Sequence, residues 1–376
     1  MFCTVSVMTC CLSMCCELPR VYFGTYTDTT SKGIYMGVFD VAEGRLSGIE
    51  LAAPAARPSF LAIHPRRPLL YAVGETANFQ GKKTGVVRAF AIEASGKLRL
   101  LNEQPSGGAG PCHVSVEPGG RCVLVANYSG GSVACLPIEE GGRLAPPSSV
   151  IQHRGSGPNR QRQEGPHAHS INVDPTGRFA LAPDLGCDKV FVYRLEAAAG
   201  RLIPHDPPAV DLAPGAGPRH LDFHPNGQFA YVINELNSTV TTLAYDAAAG
   251  RLKVVASVST LPADFSGPNT TADVHVHPSG KFLYGSNRGH DSIAIFAIGA
   301  DGTLRLLGHQ PTRGKTPRNF ALDLTGQYLL AANQDSDTVA VFRIDIQTGL
   351  LRPVGEPVAV PRPVCIRLLP SERLAR

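Results

Sequence analysis

Tryptophan is absent from the 376 residues, which excludes the WD and kelch repeat classes, whose signatures rely on it. The sequence has no run of eighteen apolar residues, whereas a membrane-spanning helix needs about 20. The formal net charge is only +4, with Lys and Arg scattered along the chain. From the short apolar runs and the small, scattered charge we expect neither nucleic acid nor a membrane as a partner. Neither a GxSxG nor an HExxH motif occurs, so the common serine-nucleophile elbow and zinc-peptidase site are excluded.

Turn-forming residues, by contrast, are abundant. The chain contains 39 glycines and 31 prolines, while 43% of its residues are hydrophobic. Many apolar stretches are rich in β-branched residues and are separated by Pro-Gly, Asn-Gly or Ser-Gly steps. This combination favours an all-β fold with a large core.

The ten cysteines fall into two groups. Five lie within the first sixteen residues, without the CxxC spacing or partner histidine of a zinc site and without a basic residue before Arg20 that would indicate a secretory signal. We interpret residues 1–19 as a Cys-rich extension that is disordered or results from a start codon assigned too early. The other five lie in apolar strands, as is typical of reduced core cysteines, and this predicts a cytoplasmic protein.

A repeated sequence motif, called a phrase below, determines the fold prediction. An apolar strand is followed by an acidic residue or His, often Pro, then Gly and a second apolar strand. The last residues of six such phrases, used below as anchors, lie 46 to 57 residues apart: Arg67, Gly120, Gly177, Gly227, Gly280 and Gly326. This period fits one four-stranded propeller blade per repeat, with the strands named a to d in chain order.

The two ends of the chain supply a seventh blade. Residues 21–26, 33–39 and 46–51 are predicted as strands b, c and d without a preceding strand a, and residues 363–370 resemble a strand a. Joining them would close the ring and remove exposed sheet edges. We predict an all-β, seven-bladed β-propeller over residues 20–371, closed by its C-terminal strand; an array of β-sandwiches or two domains is the alternative.

Strands a and b are antiparallel neighbours, so the start of a and the end of b lie on one face of the ring. Seven and eight residues from the anchors, the sequence changes abruptly from apolar to polar. The polar residues selected at these positions are His113, His169, Arg219, His220 and Arg318 before the anchors, and Asn234, Glu235, Asn287 and Arg288 after them. Such a face predicts an anion-binding cup with a potential base.

Each of these residues also has a structural interpretation. The asparagines can bond the backbone of the turn after strand b, and His113 and His220 can be satisfied by hydrogen bonds at strand starts. Glu235 can simply neutralise Arg219, whereas Arg219 and Arg288 require an anion or a carboxylate partner. The histidines of the His-Pro turns lie on the opposite face and are predicted to be structural: His64, His224 and His277.

Several phrases resemble the lactonase family of seven-bladed propellers, which includes bacterial 6-phosphogluconolactonases and fungal carboxymuconate cyclases. They are residues 23–27, 165–170, 217–220, 234–235, 286–292 and 317–320. The resemblance covers about residues 20 to 370 and excludes the cysteine-rich start. It implies a His, two Arg and a Glu in the active site, which would be His169 (or His167), Arg219, Arg288 and Glu235.

The resemblance implies hydrolysis of a small anionic lactone, foremost 6-phosphoglucono-1,5-lactone in the pentose phosphate pathway, without a metal or cofactor. Glu235 or His169 would be the general base, and Arg219 or Arg288 would stabilise the oxyanion. The substrate-binding candidates are His113, His167, His220, Asn234, Asn287 and Arg318. The alternatives are a carboxymuconate-type lactonising enzyme and a non-catalytic binding platform. Ion pairs on both oxygens of Glu235, with no room for a water, would favour the platform.

Overall fold

A computed structural model describes residues 18–370. Seven sheets of four antiparallel strands form the fold, and each sheet contacts the next around a closed ring through its two innermost strands. The predicted seven-bladed β-propeller is therefore confirmed. Nearly all of the predicted extension, residues 1–17, lies outside the described residues, as do residues 371–376.

The first blade joins the two ends of the described chain. Its strands are β1 (Arg20–Thr25), β2 (Gly33–Asp40), β3 (Arg45–Pro54) and β28 (Pro363–Leu369), in the sheet order β28-β1-β2-β3. Strand β28 pairs antiparallel with β1 from Arg20↔Leu369 to Thr25↔Pro363. The predicted closure of the ring by the C-terminal strand is confirmed.

Blades two to four follow in chain order. Their strands are β4 (Leu61–Ile63), β5 (Leu69–Gly74), β6 (Val86–Ile92), β7 (Leu98–Pro105), β8 (Pro111–Val116), β9 (Cys122–Asn127), β10 (Ser132–Pro137), β11 (Ser149–Gln152), β12 (Asn172–Val173), β13 (Phe179–Asp184), β14 (Lys189–Glu196) and β15 (Arg201–Asp211). The innermost strand of the fourth blade, β12, is only two residues long. The long irregular segment 153–171 connects it to β11.

Blades five to seven complete the ring. Their strands are β16 (Pro218–Phe223), β17 (Phe229–Asn234), β18 (Thr239–Asp246), β19 (Arg251–Ser259), β20 (Thr270–Val276), β21 (Phe282–Arg288), β22 (Ser292–Ile298), β23 (Leu304–Pro311), β24 (Pro317–Leu322), β25 (Tyr328–Asn333), β26 (Thr338–Ile344) and β27 (Leu351–Ala359). Within residues 18–370, the helical segments are two 3₁₀ turns, Glu140–Gly142 and Gln334–Ser336. No helix in this part of the chain is long and apolar enough to cross a membrane.

The core lies between the blades, where apolar residues of adjacent sheets form buried clusters. A recurring hydrogen bond also links neighbouring blades. A buried strand-b tyrosine donates its hydroxyl to the carbonyl of a glycine in the next blade's c–d turn: Tyr22 to Gly96, Tyr71 to Gly142, Tyr231 to Gly302 and Tyr284 to Gly349. At Gly302 φ is +77° and a Cβ would lie 2.5 Å from the Phe229 ring, so a side chain there would be strained.

The His-Pro turns contact anchor glycines of the next blade; a Cβ at Gly280, for example, would lie 2.8 Å from the His224 ring. The His224 ring lies 2.9 Å from the carbonyl of Gly280, and the His277 ring lies 2.8 Å from the carbonyl of Gly326. His64 makes the same contact with Gly120 at 3.2 Å. Each histidine thus ties its turn to the next blade's anchor, which confirms the structural prediction for these three residues.

Replacing Tyr284 by Phe removes one inter-blade hydrogen bond and leaves the buried Gly349 carbonyl unpaired. We expect the free energy of unfolding to fall by about 1 kcal/mol, measured by urea denaturation. Tyr35→Phe, at a partly exposed tyrosine of β2, is the control and should change stability by much less. Equal effects of the two substitutions would contradict the role given to the inter-blade bond.

Candidate active site

A cavity of about 300 Å³ lies on the ring axis, because its lining residues come from six of the blades or their connections. Those residues are Glu75, Cys112, Tyr128, Arg162, His169, Glu235, Thr270, Arg288 and Arg318. The volume suits a small molecule. The lining is dominated by cations, one histidine and two carboxylates, as predicted for the cup at the start of strands a and the end of strands b.

Two positions of the repeat supply most of these side chains. Residues eight before the anchors include Cys112, His169, Arg219 and Arg318, and residues eight after include Glu75, Tyr128, Glu235 and Arg288. In three blades the pairing of strands a and b is interrupted at the residue eight before the anchor. Such β-bulges re-aim a side chain next to a functional site. They are what turns Cys112, Arg219 and Arg318 towards the axis.

Glu235 lies at the centre of the cationic group and is 4% exposed. Its Oε1 accepts from Arg162 Nη2 at 2.6 Å, and its Oε2 is 3.0 Å from both Arg219 Nε and Arg288 Nη2. Burial alone would raise the pKa of Glu235, but Arg288, Arg219 and Arg162 together hold that pKa well below its ordinary value. Glu235 is therefore an ionised carboxylate that organises three guanidinium groups and is a weak base.

His169 is the neutral base candidate of the cavity. It is buried, and its Nε2 lies 3.9 Å from Glu235 Oε2. Burial, reinforced by the positive charge of Arg219, lowers the pKa of His169 well below 6.5, so the imidazole is neutral at pH 7. Its Nδ1 lies 3.6 Å from Cys112 Sγ, and burial raises the pKa of that thiol. Cys112 is therefore a neutral neighbour of His169 and a poor nucleophile.

Two arginines keep donor capacity for an anion. Arg288 Nη2 donates to the Thr271 carbonyl at 2.7 Å, but its buried Nε has no hydrogen-bond partner among the described residues. Burial lowers the pKa of Arg288 to about 9, despite the adjacent Glu235 carboxylate. The Arg318 guanidinium lies over the Tyr26 ring at 5.3 Å and forms no ion pair within residues 18–370. Both side chains can therefore bind a negatively charged ligand.

The family model described as "Lactonase, 7-bladed beta-propeller" matches residues 20–368. The chain belongs to this family. A lactonase relative from Bacillus subtilis, named 6-phosphogluconolactonase, is 39% identical over 93% of this chain and 97% of its own length. A relative of the same name from Formosa agariphila is 35% identical over 90% of this chain and 96% of its own. The structure of the Pseudomonas aeruginosa periplasmic gluconolactonase has a TM-score of 0.88 and 36% identity, with 94% of this chain and 99% of that chain covered.

In this lactonase the other predicted histidines are not among the residues that line the cavity. The His167 ring stacks on Tyr128 at 4.5 Å and supports that cavity wall from outside. His220 Nδ1 lies 2.7 Å from Asp273, and burial lowers the pKa of His220 to about 4. Its Nε2 accepts from Arg219 Nη1 at 3.1 Å, so His220 fixes the guanidinium that holds Glu235. His113 packs on the His220 ring at 5.5 Å and lines a different cavity.

Asn234 and Asn287, which were predicted to bind substrate, are not among the residues that line the cavity. Both are fully buried: Asn234 Nδ2 donates to two threonine hydroxyls of its own blade, and Asn287 Nδ2 donates to the Thr260 carbonyl at 2.9 Å. Successive strand residues point to opposite faces, so the residue after each asparagine, Glu235 or Arg288, enters the cavity instead.

Five cavity residues were not predicted. Glu75, Cys112 and Tyr128 occupy the same repeat positions as the predicted residues, and the column pattern alone could have identified them. Thr270 lies at the start of β20. Arg162 lies in the long connection between β11 and β12, which has no counterpart in the other repeats, so no column could have indicated it.

Replacing Glu235 by Gln leaves its guanidinium partners without their shared carboxylate. We expect the free energy of unfolding at neutral pH to fall by about 3 kcal/mol. Because the folded-state pKa of Glu235 lies below its ordinary value of 4.5, this deficit is complete above pH 4.5 and shrinks as the pH falls below 4.5. Thermal unfolding of both proteins across this range measures it.

The exposed Glu50, which pairs with Lys97, provides the control substitution Glu50→Gln, whose effect should be below about 1 kcal/mol. A deficit for Glu235→Gln that stays constant far below pH 4.5 would refute the depressed pKa.

Proposed function

We propose that the protein hydrolyses a sugar lactone, and specifically that it converts 6-phosphoglucono-1,5-lactone to 6-phosphogluconate. The observation that carries this proposal is a buried, neutral His169 beside a carboxylate that holds three arginines, at a cavity sized for one small anion. The two relatives named 6-phosphogluconolactonase support the choice of substrate. A small lactone is the partner that the cavity would take.

His169 is the group suited to activate the attacking water. Both oxygens of Glu235 are engaged by arginines, whereas the neutral imidazole of His169 lines the cavity and can accept a proton. Water attacks the C1 carbonyl and transfers a proton to His169 Nε2. When the tetrahedral intermediate collapses, the bond between C1 and the ring oxygen breaks, and the imidazolium returns the proton to that oxygen.

The arginines take the negative charges of substrate and transition state. Arg219 and Arg288 surround Glu235 Oε2 and retain N–H groups for the oxyanion, among them the unpaired Nε of Arg288. Arg318, on another wall of the cavity, is the natural contact for the phosphate group. We therefore place the reacting end of the substrate, its carbonyl, near His169, and its phosphate near Arg318 and Arg162, which line the same cavity.

Two other functions share parts of this geometry. Glu235 is ion-paired on both oxygens, as a binding platform would have it, yet it still borders an open cavity that a water can enter. A carboxymuconate-type lactonising enzyme would need the same arginines for a carboxylate. Turnover of the phosphorylated lactone distinguishes both from the proposed reaction.

The cellular location stays a prediction. The five described cysteines are buried free thiols, consistent with the cytoplasm where the phosphorylated substrate would be found. They are Cys112, Cys122, Cys135, Cys187 and Cys365.

The decisive assay is hydrolysis of freshly generated 6-phosphogluconolactone, coupled to 6-phosphogluconate dehydrogenase and corrected for spontaneous ring opening. His169→Asn should lower kcat by about 10²–10⁴-fold, as expected for loss of a positioned base. The wild-type rate should stay level as the pH falls to 6.5, because the pKa of His169 lies well below that value. His205→Asn, on the outer strand β15, is the control and should retain full activity.

If the wild type does not exceed the blank, the phospholactonase proposal fails. Parallel assays with glucono-1,5-lactone and a carboxymuconolactone then identify another lactone as the substrate or, if all are negative, favour a binding role.

Arg318→Met tests the contact with the phosphate. We expect KM for the phosphorylated lactone to rise about tenfold, with a smaller change in kcat, because the contact lies away from the reacting carbonyl. Arg343→Met, which removes an arginine packed on Tyr328 in the outer part of blade seven, should leave KM unchanged. A kcat loss at Arg318→Met as large as that at His169→Asn would place Arg318 at the reacting end instead.

A further inference from the structure

Arg162 is held differently from the other two arginines that contact Glu235. Arg219 and Arg288 each also donate to a backbone carbonyl of strand β20, and their side chains are 3% and 12% exposed. Arg162 is 38% exposed, and it uses one nitrogen, Nη2, for both Glu235 Oε1 at 2.6 Å and the Tyr128 hydroxyl at 3.2 Å. Within residues 18–370 its guanidinium group makes no hydrogen bond to a backbone carbonyl. It is therefore the guanidinium that can leave most easily.

The connection that carries this arginine is nevertheless anchored. Gln163 is fully buried, and its amide donates to Asp188 at 2.7 Å. Asp184 holds both ends of the connection, since it contacts the His153 ring at 2.6 Å and accepts from the His167 main-chain N–H at 2.8 Å. The backbone on either side is thus fixed by buried hydrogen bonds. A change at this position is a swing of one side chain, without movement of a lid.

We propose that Arg162 is an exchangeable clamp, which a phosphate dianion draws away from Glu235 so that Oε1 becomes free to orient the nucleophilic water. The proposal rests on the function proposed above. A phosphate group offers two negative charges and several acceptors in an arrangement that a guanidinium fork matches, whereas Glu235 gives Arg162 a single oxygen. Exchange therefore has a driving force.

The released oxygen lies where a water could use it. Arg219 and Arg288 still hold Oε2, so Glu235 keeps its place when Arg162 leaves. His169 Nε2 lies 3.9 Å from Oε2 of the same carboxyl group, and both residues line the cavity, so a water bound to His169 lies beside the Glu235 carboxylate. The carboxylate then aligns the water while the imidazole takes its proton.

This arrangement makes the phosphate contribute to the chemical step as well as to binding. An unphosphorylated lactone would meet Glu235 with both oxygens occupied and would react slowly even when bound. Binding energy from the remote phosphate would be used to assemble the reacting end. Arg162 is accordingly the residue that discriminates between phosphorylated and unphosphorylated lactones.

Binding of inorganic phosphite dianion, measured by isothermal titration calorimetry, tests the clamp without any turnover. Arg162→Met should weaken phosphite binding about tenfold, the scale of one charge-assisted hydrogen bond. The matched control is Arg160→Met, an exposed arginine of the same connection, which should bind phosphite like the wild type. Glu235→Gln should bind phosphite more tightly than the wild type, and adding Arg162→Met to it should remove most of that gain.

Kinetics with glucono-1,5-lactone, which lacks the phosphate, test the consequence. At constant ionic strength, phosphite should raise the wild-type kcat/KM for this lactone about tenfold. Arg162→Met should show no stimulation, whereas Arg160→Met should be stimulated like the wild type.

The outcomes separate the clamp from the proposed function. Equal phosphite affinities of the wild type and Arg162→Met overturn the clamp, whatever the protein hydrolyses. Turnover of 6-phosphogluconolactone without stimulation by phosphite also overturns the clamp but leaves the proposed function standing. If neither lactone is hydrolysed, the proposed function fails, and the calorimetric comparison alone decides whether Arg162 exchanges between Glu235 and an anion.

Discussion

The antiparallel pairing of β28 with β1 is the contact on which the cavity depends. Without it, the first and seventh blades would be the two ends of an open array. Across this seam, Arg318 of the seventh blade lies on Tyr26, and the Tyr26 hydroxyl donates to Glu75 of the second blade at 3.0 Å. One wall of the cavity is therefore assembled from residues far apart in the chain, and it exists only because the sheet ends are joined.

Inside the closed ring, electrostatics determines what each polar group can do. A carboxylate buried among guanidinium groups remains ionised, and a histidine buried near the same cations remains neutral. The roles of Glu235 and His169 follow from this difference. Glu235 fixes the positions of cations, and His169 is left as the group that can accept a proton. The residue types alone left both assignments open.

The repeat made the fold and the face of the site predictable, because its spacing fixes where strands a and b meet. Side-chain direction was harder to predict. Bulges turn Arg219 and Arg318 to the axis, while strand alternation buries Asn234 one position before Glu235. Arg162 could not be predicted from the repeat, because it lies in a connection that only one blade has. Periodic reasoning identifies what the repeats share and overlooks what a single blade adds.

The joints between blades have a consequence for how such a protein can change. The tyrosine and histidine links all end on a glycine carbonyl of the neighbouring blade, so each joint recognises main chain and is indifferent to most of the neighbour's sequence. A blade that presents a glycine at the two turns satisfies its neighbour's side of the contact. The described tyrosine and histidine links join blades one to three and five to seven. At the fourth blade, which carries the long connection with Arg162, Ser148 of the third blade donates to the Gly200 carbonyl instead, so this joint also recognises main chain.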